Sequence, residues 1–108
     1  MAKPVRLRRL AAADIESAVD HDSEGADSAT ARRFVASMER AVQQISRHPH
    51  NGSLRLAYEL DVPELRAWPL PRFPYIVFYV EQAAEIDVWR VLHTRRDLPA
   101  SLADGDER

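Results

Sequence analysis

The sequence has no cysteine, so it can hold neither a disulfide framework nor a cysteine-based metal site. Lysine is almost missing as well. Lys3 is the only one, and arginine carries nearly all the positive charge. A surplus of positive charge is also lacking: the formal net charge is −2 and the pI about 6.1. General nucleic-acid binders are usually clearly basic, and this chain is not. The longest apolar run, Tyr75 to Val80, is far too short to cross a bilayer. The basic start, Met1 to Leu10, lacks the apolar stretch of a secretion signal. No internal repeat or low-complexity block is present. These absences point to a reducing cytoplasm, no membrane, no metal and no cofactor.

What is present suits one soluble α+β domain. The chain has 108 residues, 45% of them hydrophobic and 30% charged, ordinary values for a globular protein. A domain of this size buries only about two-thirds of its unfolded surface, so its stability margin is thin. Residues 1–99 are expected to form the domain, and 100–108, small and charged, a flexible tail. Arginine, the cation of bidentate carboxylate and phosphate recognition, still allows local basic surfaces.

The periodicity changes along the chain. Val5 to Leu10 alternates apolar residues and arginine, a strand pattern with one apolar and one basic face. Ala11 to Asp20 has helical spacing, with Asp14 and Glu16 expected in the early turns, where the helix dipole favours anions. His21 to Asp27, with Gly25, reads as a turn. Asp27 or Ser28 then caps a second helix, whose apolar stripe is Phe34, Val35, Met38, Ala41, Val42 and Ile45. His48-Pro49 ends it, because the residue before proline avoids helical geometry, and Asn51-Gly52 signals a turn. Afterwards the period is two. Leu65–Leu70, Tyr75–Glu81 and Glu85–His93 are strand candidates, with a proline-rich corner from Pro69 to Pro74 and a hairpin link at Gln82-Ala83-Ala84. In the last strand, Ile86, Val88, Arg90 and Leu92 should share one face, and Asp87, Trp89, Val91 and His93 the other. The architecture is thus an N-terminal strand and a two-helix hairpin, packed on a mostly antiparallel sheet that a C-terminal three-stranded meander completes.

Several segments together carry a resemblance to a known family. They are Ala13-Asp14-Ile15-Glu16, Arg33-Phe34, His48-Pro49 with Gly52, and Leu65-Arg66. The most specific are Phe73-Pro74-Tyr75-Ile76-Val77-Phe78-Tyr79 and the run Ile86 to Asp97 that ends Arg90-Val91-Leu92-His93-Thr94-Arg95-Arg96-Asp97. From about Leu7 to Leu98 the chain resembles the RelE/ParE superfamily of toxins, and within it the ParE branch, the plasmid-stabilisation type. The resemblance implies a ParD-like antitoxin whose C-terminal segment wraps the toxin and whose ribbon-helix-helix part binds operator DNA. The toxin would then reach DNA only through its antitoxin. ParE-like toxins inhibit DNA gyrase, whereas RelE-like toxins cut mRNA on the ribosome. A shared fold does not choose between these activities.

RelE-type cleavage uses a base, an acid and cations on the phosphate. The candidates are Glu59 as base, His93 as acid, and Arg66, Arg72, Arg90 and Arg95 as cations. Against this reading stand the negative net charge and the end of the last strand. There RelE-like nucleases often carry tyrosine or histidine, and this chain has Asp97-Leu98-Pro99. The preferred reading is a gyrase inhibitor that is not a nuclease. A relative that keeps only antitoxin binding and autoregulation is the other alternative. The partner-binding candidates are Arg66, Trp68, Arg72, Arg90, His93, Arg95 and Arg96, an arginine-tryptophan composition enriched at interfaces. The antitoxin groove is expected on the sheet surface and the outer side of the helical hairpin. The neutral expectation for His93 is a hydrogen-bonding group that closes a strand.

Overall fold

The computed structural model describes residues 2–23, 28–59 and 61–95. The elements are β1 (Val5–Leu7), α1 (Arg9–Ser23), α2 (Ser28–Arg47), a 3-10 turn (Pro49–Asn51), α3 (Arg55–Glu59), β2 (Arg66–Pro69), β3 (Tyr75–Glu81) and β4 (Ile86–His93). The strands lie in the order β1-β4-β3-β2. β1 runs parallel to β4, and the other two pairings are antiparallel. The α+β class, the hairpin of long helices and the meander are as the periodicity implies. The tail, together with Asp27 and Arg96, lies outside the described residues.

The first strand is shorter than its alternation suggests. Helix α1 already begins at Arg9, and the Arg8 carbonyl accepts a bond from the Ala12 N–H at 3.0 Å. Three successive alanines, Ala11 to Ala13, are the strongest helix formers available, and they override the strand pattern. Ala11 and Ala18 are small enough to sit flush on the sheet, whereas Leu7 and Leu10 are left 40% and 37% exposed. On α2 the buried line is Phe34, Met38, Ala41 and Ile45, with Val42 half-buried. Val35, expected in the core, stands one step off that line and is 39% exposed. Arg47 is the last helical residue before His48-Pro49.

A β-bulge changes the expected alternation in β4. Phe78 faces Arg90 and the next residue, Tyr79, faces Val88, so Trp89 is extra. An extra residue resets which side chain lies on which face. Ile86, Val88 and Val91 therefore join the core beneath α1 and α2, together with Tyr75, Val77 and Tyr79. Trp89 and Leu92 join a second cluster with Phe78 and Val80 on the other face. That face is not bare either: Leu54, Leu56, Ala57, Val62 and Leu65, in and around α3, pack on it. The sheet face on which an antitoxin groove is expected is thus occupied in part by the chain itself.

Arg90, beside the bulge, reaches α1. Asp14 Oδ2 accepts from Arg90 Nε at 2.7 Å and from the Val91 backbone N–H at 2.9 Å, and Asp14 Oδ1 accepts from Arg90 Nη2 at 2.8 Å. Asp14 thus lies beyond the first turn of α1, where it binds the sheet and not the helix terminus. It supplies the acceptor for a backbone N–H at the irregularity in the ladder, where an unpaired buried donor would be costly.

A second anchor holds the α2–β2 connection. The buried Tyr79 hydroxyl donates to the Pro49 carbonyl at 2.6 Å and accepts from the Gly52 N–H at 3.1 Å. Burial raises its pKa above the usual 10.0, while the Gly52 bond and the nearby Arg66 charge lower it. A Cβ at Gly52 would overlap the Tyr79 hydroxyl oxygen and lie 2.9 Å from its Cζ and 3.0 Å from Arg66 Cβ. Glycine is required here by close approach, because its φ of −69° is open to any residue.

Two predictions concern stability. Asp14→Ala and Arg90→Ala should each cost about 3 kcal/mol in denaturant unfolding, the usual loss when one partner of a buried ion pair is removed. The double variant should lose at least about 1 kcal/mol less than the sum; additive losses would contradict the clamp. Gly52→Ala should cost about 1–3 kcal/mol through overpacking. In a Tyr79→Phe background the same change should cost clearly less, because the overlapped oxygen is gone. Equal costs in both backgrounds would contradict the contact.

Candidate functional site

Charge is distributed unevenly along the sheet. At the β3–β4 hairpin end stand Glu81, Glu85 and Asp87, each matched by a cation from elsewhere in the chain. Glu81 pairs with Lys3 at 2.8 Å and with His50 Nε2 at 2.8 Å. Glu85 lies 3.8 Å from Arg6. Asp87 takes a fork from Arg8, with Nε at 3.0 Å and Nη2 at 2.8 Å from Oδ2. The Arg8 guanidinium in turn lies 4.2 Å over the Trp89 ring, a cation–π contact that a planar guanidinium suits. The Lys3 ammonium also donates to the Gln82 carbonyl, and the Lys3 backbone is bonded to Ser46 at the end of α2. The N-terminal arm is thereby pinned to α2 and the hairpin at once.

The opposite end of the sheet is basic. The proline-rich corner between β2 and β3 closes with the Leu70 N–H donating to the Tyr75 carbonyl at 2.9 Å. Arg72 within it has a φ of 70°, a left-handed conformation uncommon for a residue with a side chain. The Thr94 N–H donates to the Pro74 carbonyl at 2.9 Å, which joins this corner to the end of β4. Tyr75 and His93 face one another across the strands, with ring centroids 5.2 Å apart and edge to face. Phe34 of α2 meets Phe73 and Tyr75 in the same manner, at 5.5 and 5.2 Å. The Arg95 N–H donates to His93 Nδ1 at 3.1 Å, so that nitrogen is an acceptor.

The structure separates the residues that the sequence groups together. Arg72, His93 and Arg95 stand on the two segments that are joined at this corner. Trp68 is close in register, opposite Val77, and is half-buried toward the helices. Arg66 is opposite Tyr79, about 13 Å along the strand from Tyr75 at ~3.3 Å per residue. Its guanidinium is engaged by the His50 and Gly52 carbonyls at 3.0 and 2.8 Å. Arg90 is 8% exposed and committed to Asp14, so it offers no surface to a partner. Arg96 and the Glu59 side chain lie outside the described residues. The helix that carries Glu59 packs on the opposite face of the sheet from His93. Asp14, Arg8, Asp87, Tyr79 and Gly52, none of them singled out as a site by the sequence, do the holding. Their only sequence signal was membership of the segments that carried the resemblance, and Arg8 lay outside even those.

Lys3, foremost, and His50 hold the Glu81 carboxyl below its usual 4.5. A carboxyl whose pKa falls on folding adds stability above its ordinary value and loses it as pH falls through the lowered one. Glu81→Gln should therefore be less stable than the parent at pH 7, and the gap should close as pH drops below about 4. A gap independent of pH, measured by thermal melts from pH 3 to 7, would contradict the ion pair.

The comparisons with known proteins agree with this architecture. The model of a family described as "ParE toxin of type II toxin-antitoxin system, parDE" matches residues 5–98. A chain of the solved structure titled "Chromosomal ParDE TA system from P. aeruginosa" superposes with a TM-score of 0.73 at 22% identity, over 87% of this chain and 98% of that one. At that identity the likeness speaks for the fold. No curated protein matches. Since the family pattern runs from β1 through both long helices and past β4, the chain belongs to the ParE toxin family of type II toxin–antitoxin systems.

Proposed function

We propose that this chain is the toxin half of a type II pair, held inactive in the cytoplasm by a ParD-like antitoxin and, when free, inhibiting DNA gyrase by direct protein binding. Family membership over residues 5–98 carries the toxin and antitoxin parts of this reading. The solved relative's title, which names a ParDE system, supports the same pairing. The net charge of −2 favours contact with operator DNA through the antitoxin alone. Among the described residues no helix is long and apolar enough to cross a membrane.

The choice of gyrase over mRNA rests on how the cations are used. RelE-type cleavage needs acid, base and cations converging on one phosphate. Here Arg90 is bound to Asp14, Arg66 to two backbone carbonyls, and the helix bearing Glu59 is across the sheet from His93. This dispersal supports a protein-binding toxin over a nuclease.

Expression of the chain alone from a tight promoter should arrest growth with filamentation while a reporter mRNA stays intact. Co-expression of the adjacent antitoxin should restore growth, and the purified toxin should inhibit gyrase supercoiling. Arrest with cleaved transcripts would overturn the gyrase reading in favour of the nuclease. Harmless expression of a folded chain would leave only antitoxin binding and autoregulation.

A further inference from the structure

We propose that the corner formed by Arg72 and Arg95 is a carboxylate-recognition site that takes an acidic peptide segment of the protein partner. This rests on the reading that a protein partner binds the chain, and it names the chemistry that the partner presents there.

The first observation is electrostatic. The sheet's acidic end is neutralised, because Glu81, Glu85 and Asp87 each have a cation. The segments that build the other end, residues 70–75 and 91–95, contain no acidic residue. Arg72 and Arg95 are exposed there, and among the described residues neither guanidinium has an ion pair or hydrogen bond. Two arginines without an anion of their own among the described residues thus stand on joined segments, although the chain's net charge is negative.

The second observation is preorganisation. Arg72 sits at a φ of 70° between Pro71 and Phe73-Pro74, and the Leu70–Tyr75 bond closes the turn around it. Glycine would adopt that backbone freely; an arginine held there is an outlier of the kind that clusters at binding sites. Arg95 is tied by its own N–H to His93 Nδ1, and His93 is wedged against Tyr75. His93 therefore fixes the backbone at Arg95. The Thr94–Pro74 bond fixes the two arginine-bearing segments to each other.

The third observation selects the ligand. Half-buried Phe73 and exposed Pro74 follow Arg72 in the segment that is joined to Thr94-Arg95, an apolar stretch beside two arginines. A peptide with alternating carboxylates and apolar side chains matches that surface. A nucleic-acid backbone instead rewards an extended basic field, which a chain with one lysine and a net charge of −2 does not provide.

The test is fluorescence anisotropy with the full chain and a fluorescein-labelled Glu-Leu repeat peptide, its Gln-Leu counterpart, and a single-stranded RNA of equal charge. The Glu-Leu peptide should bind, more weakly as salt rises, and the Gln-Leu peptide should not. Arg72→Gln and Arg95→Gln should each weaken binding about tenfold, the value of one charge-assisted pair. Arg6→Gln and Arg33→Gln, exposed arginines elsewhere, should change it less than about twofold, as solvated charges do. Arg72→Gly separates site from fold: it should keep or raise Tm, because glycine accepts the backbone, yet bind as weakly as Arg72→Gln. Peptide affinity unchanged in both glutamine variants would overturn the proposal. So would RNA that binds more tightly than the peptide and is lost in the same variants. Toxicity and antitoxin rescue of the parent chain are read separately, so failure here leaves the toxin reading standing.

Discussion

Much of the structure depends on one carboxylate. Asp14 reaches from α1 across to β4 and there accepts from Arg90 and from the backbone of Val91. It sets the position of the helical hairpin on the sheet and supplies an acceptor beside the bulge at Trp89. Without the bulge, β4 would keep a strict alternation, Leu92 would share a face with Val88, and His93 would turn away from the helices. With it, Val91 joins the core below α1 and α2, and His93 comes to rest on Tyr75. A local irregularity, satisfied by a distant side chain, thus decides which residues stand at the basic corner.

Elements set by local chemistry were legible in the sequence. Proline after His48 ends α2 at Arg47, and β3 spans Tyr75–Glu81, as its β-branched and aromatic run suggests. The prolines from Pro69 to Pro74 make an edge corner because β2 is the outermost strand of its side. What was not legible depends on pairing. The bulge is invisible in the Ile86–His93 alternation, since register belongs to two strands at once. Arg90 looks like a surface cation until Asp14 is known to lie opposite it. Arg8 sits in an apparent strand, but the alanines that follow turn the chain into α1 and leave it stacked on Trp89. Helix α3 is five residues long, too short for periodicity to reveal, yet its surroundings occupy part of the sheet face that seemed free.

The candidate site shows the same division. The sequence groups seven partner-binding positions by composition. Geometry distributes them among a buried clamp at Arg90, a loop anchor at Arg66, a half-buried packing residue at Trp68, and a corner at Arg72, His93 and Arg95, with Arg96 outside the described residues. Arginine serves well in all these places because one planar fork can bind a carboxylate, two carbonyls or an aromatic face. Residue type alone therefore could not sort structural arginines from available ones. The decisive feature is whether the fold supplies an anion, and for Arg72 and Arg95 the described residues supply none.

Arg72 and Arg95 have no anion among the described residues, and on the proposed reading the protein partner supplies it at their corner. Hydrogen–deuterium exchange of the chain alone and in complex with its antitoxin tests this most directly. Residues 71–75 and 93–95 should gain protection on complex formation, while the amides around Asp14 and Arg90 should already be protected in the free chain. Unchanged exchange at the corner in a fully formed complex would contradict it.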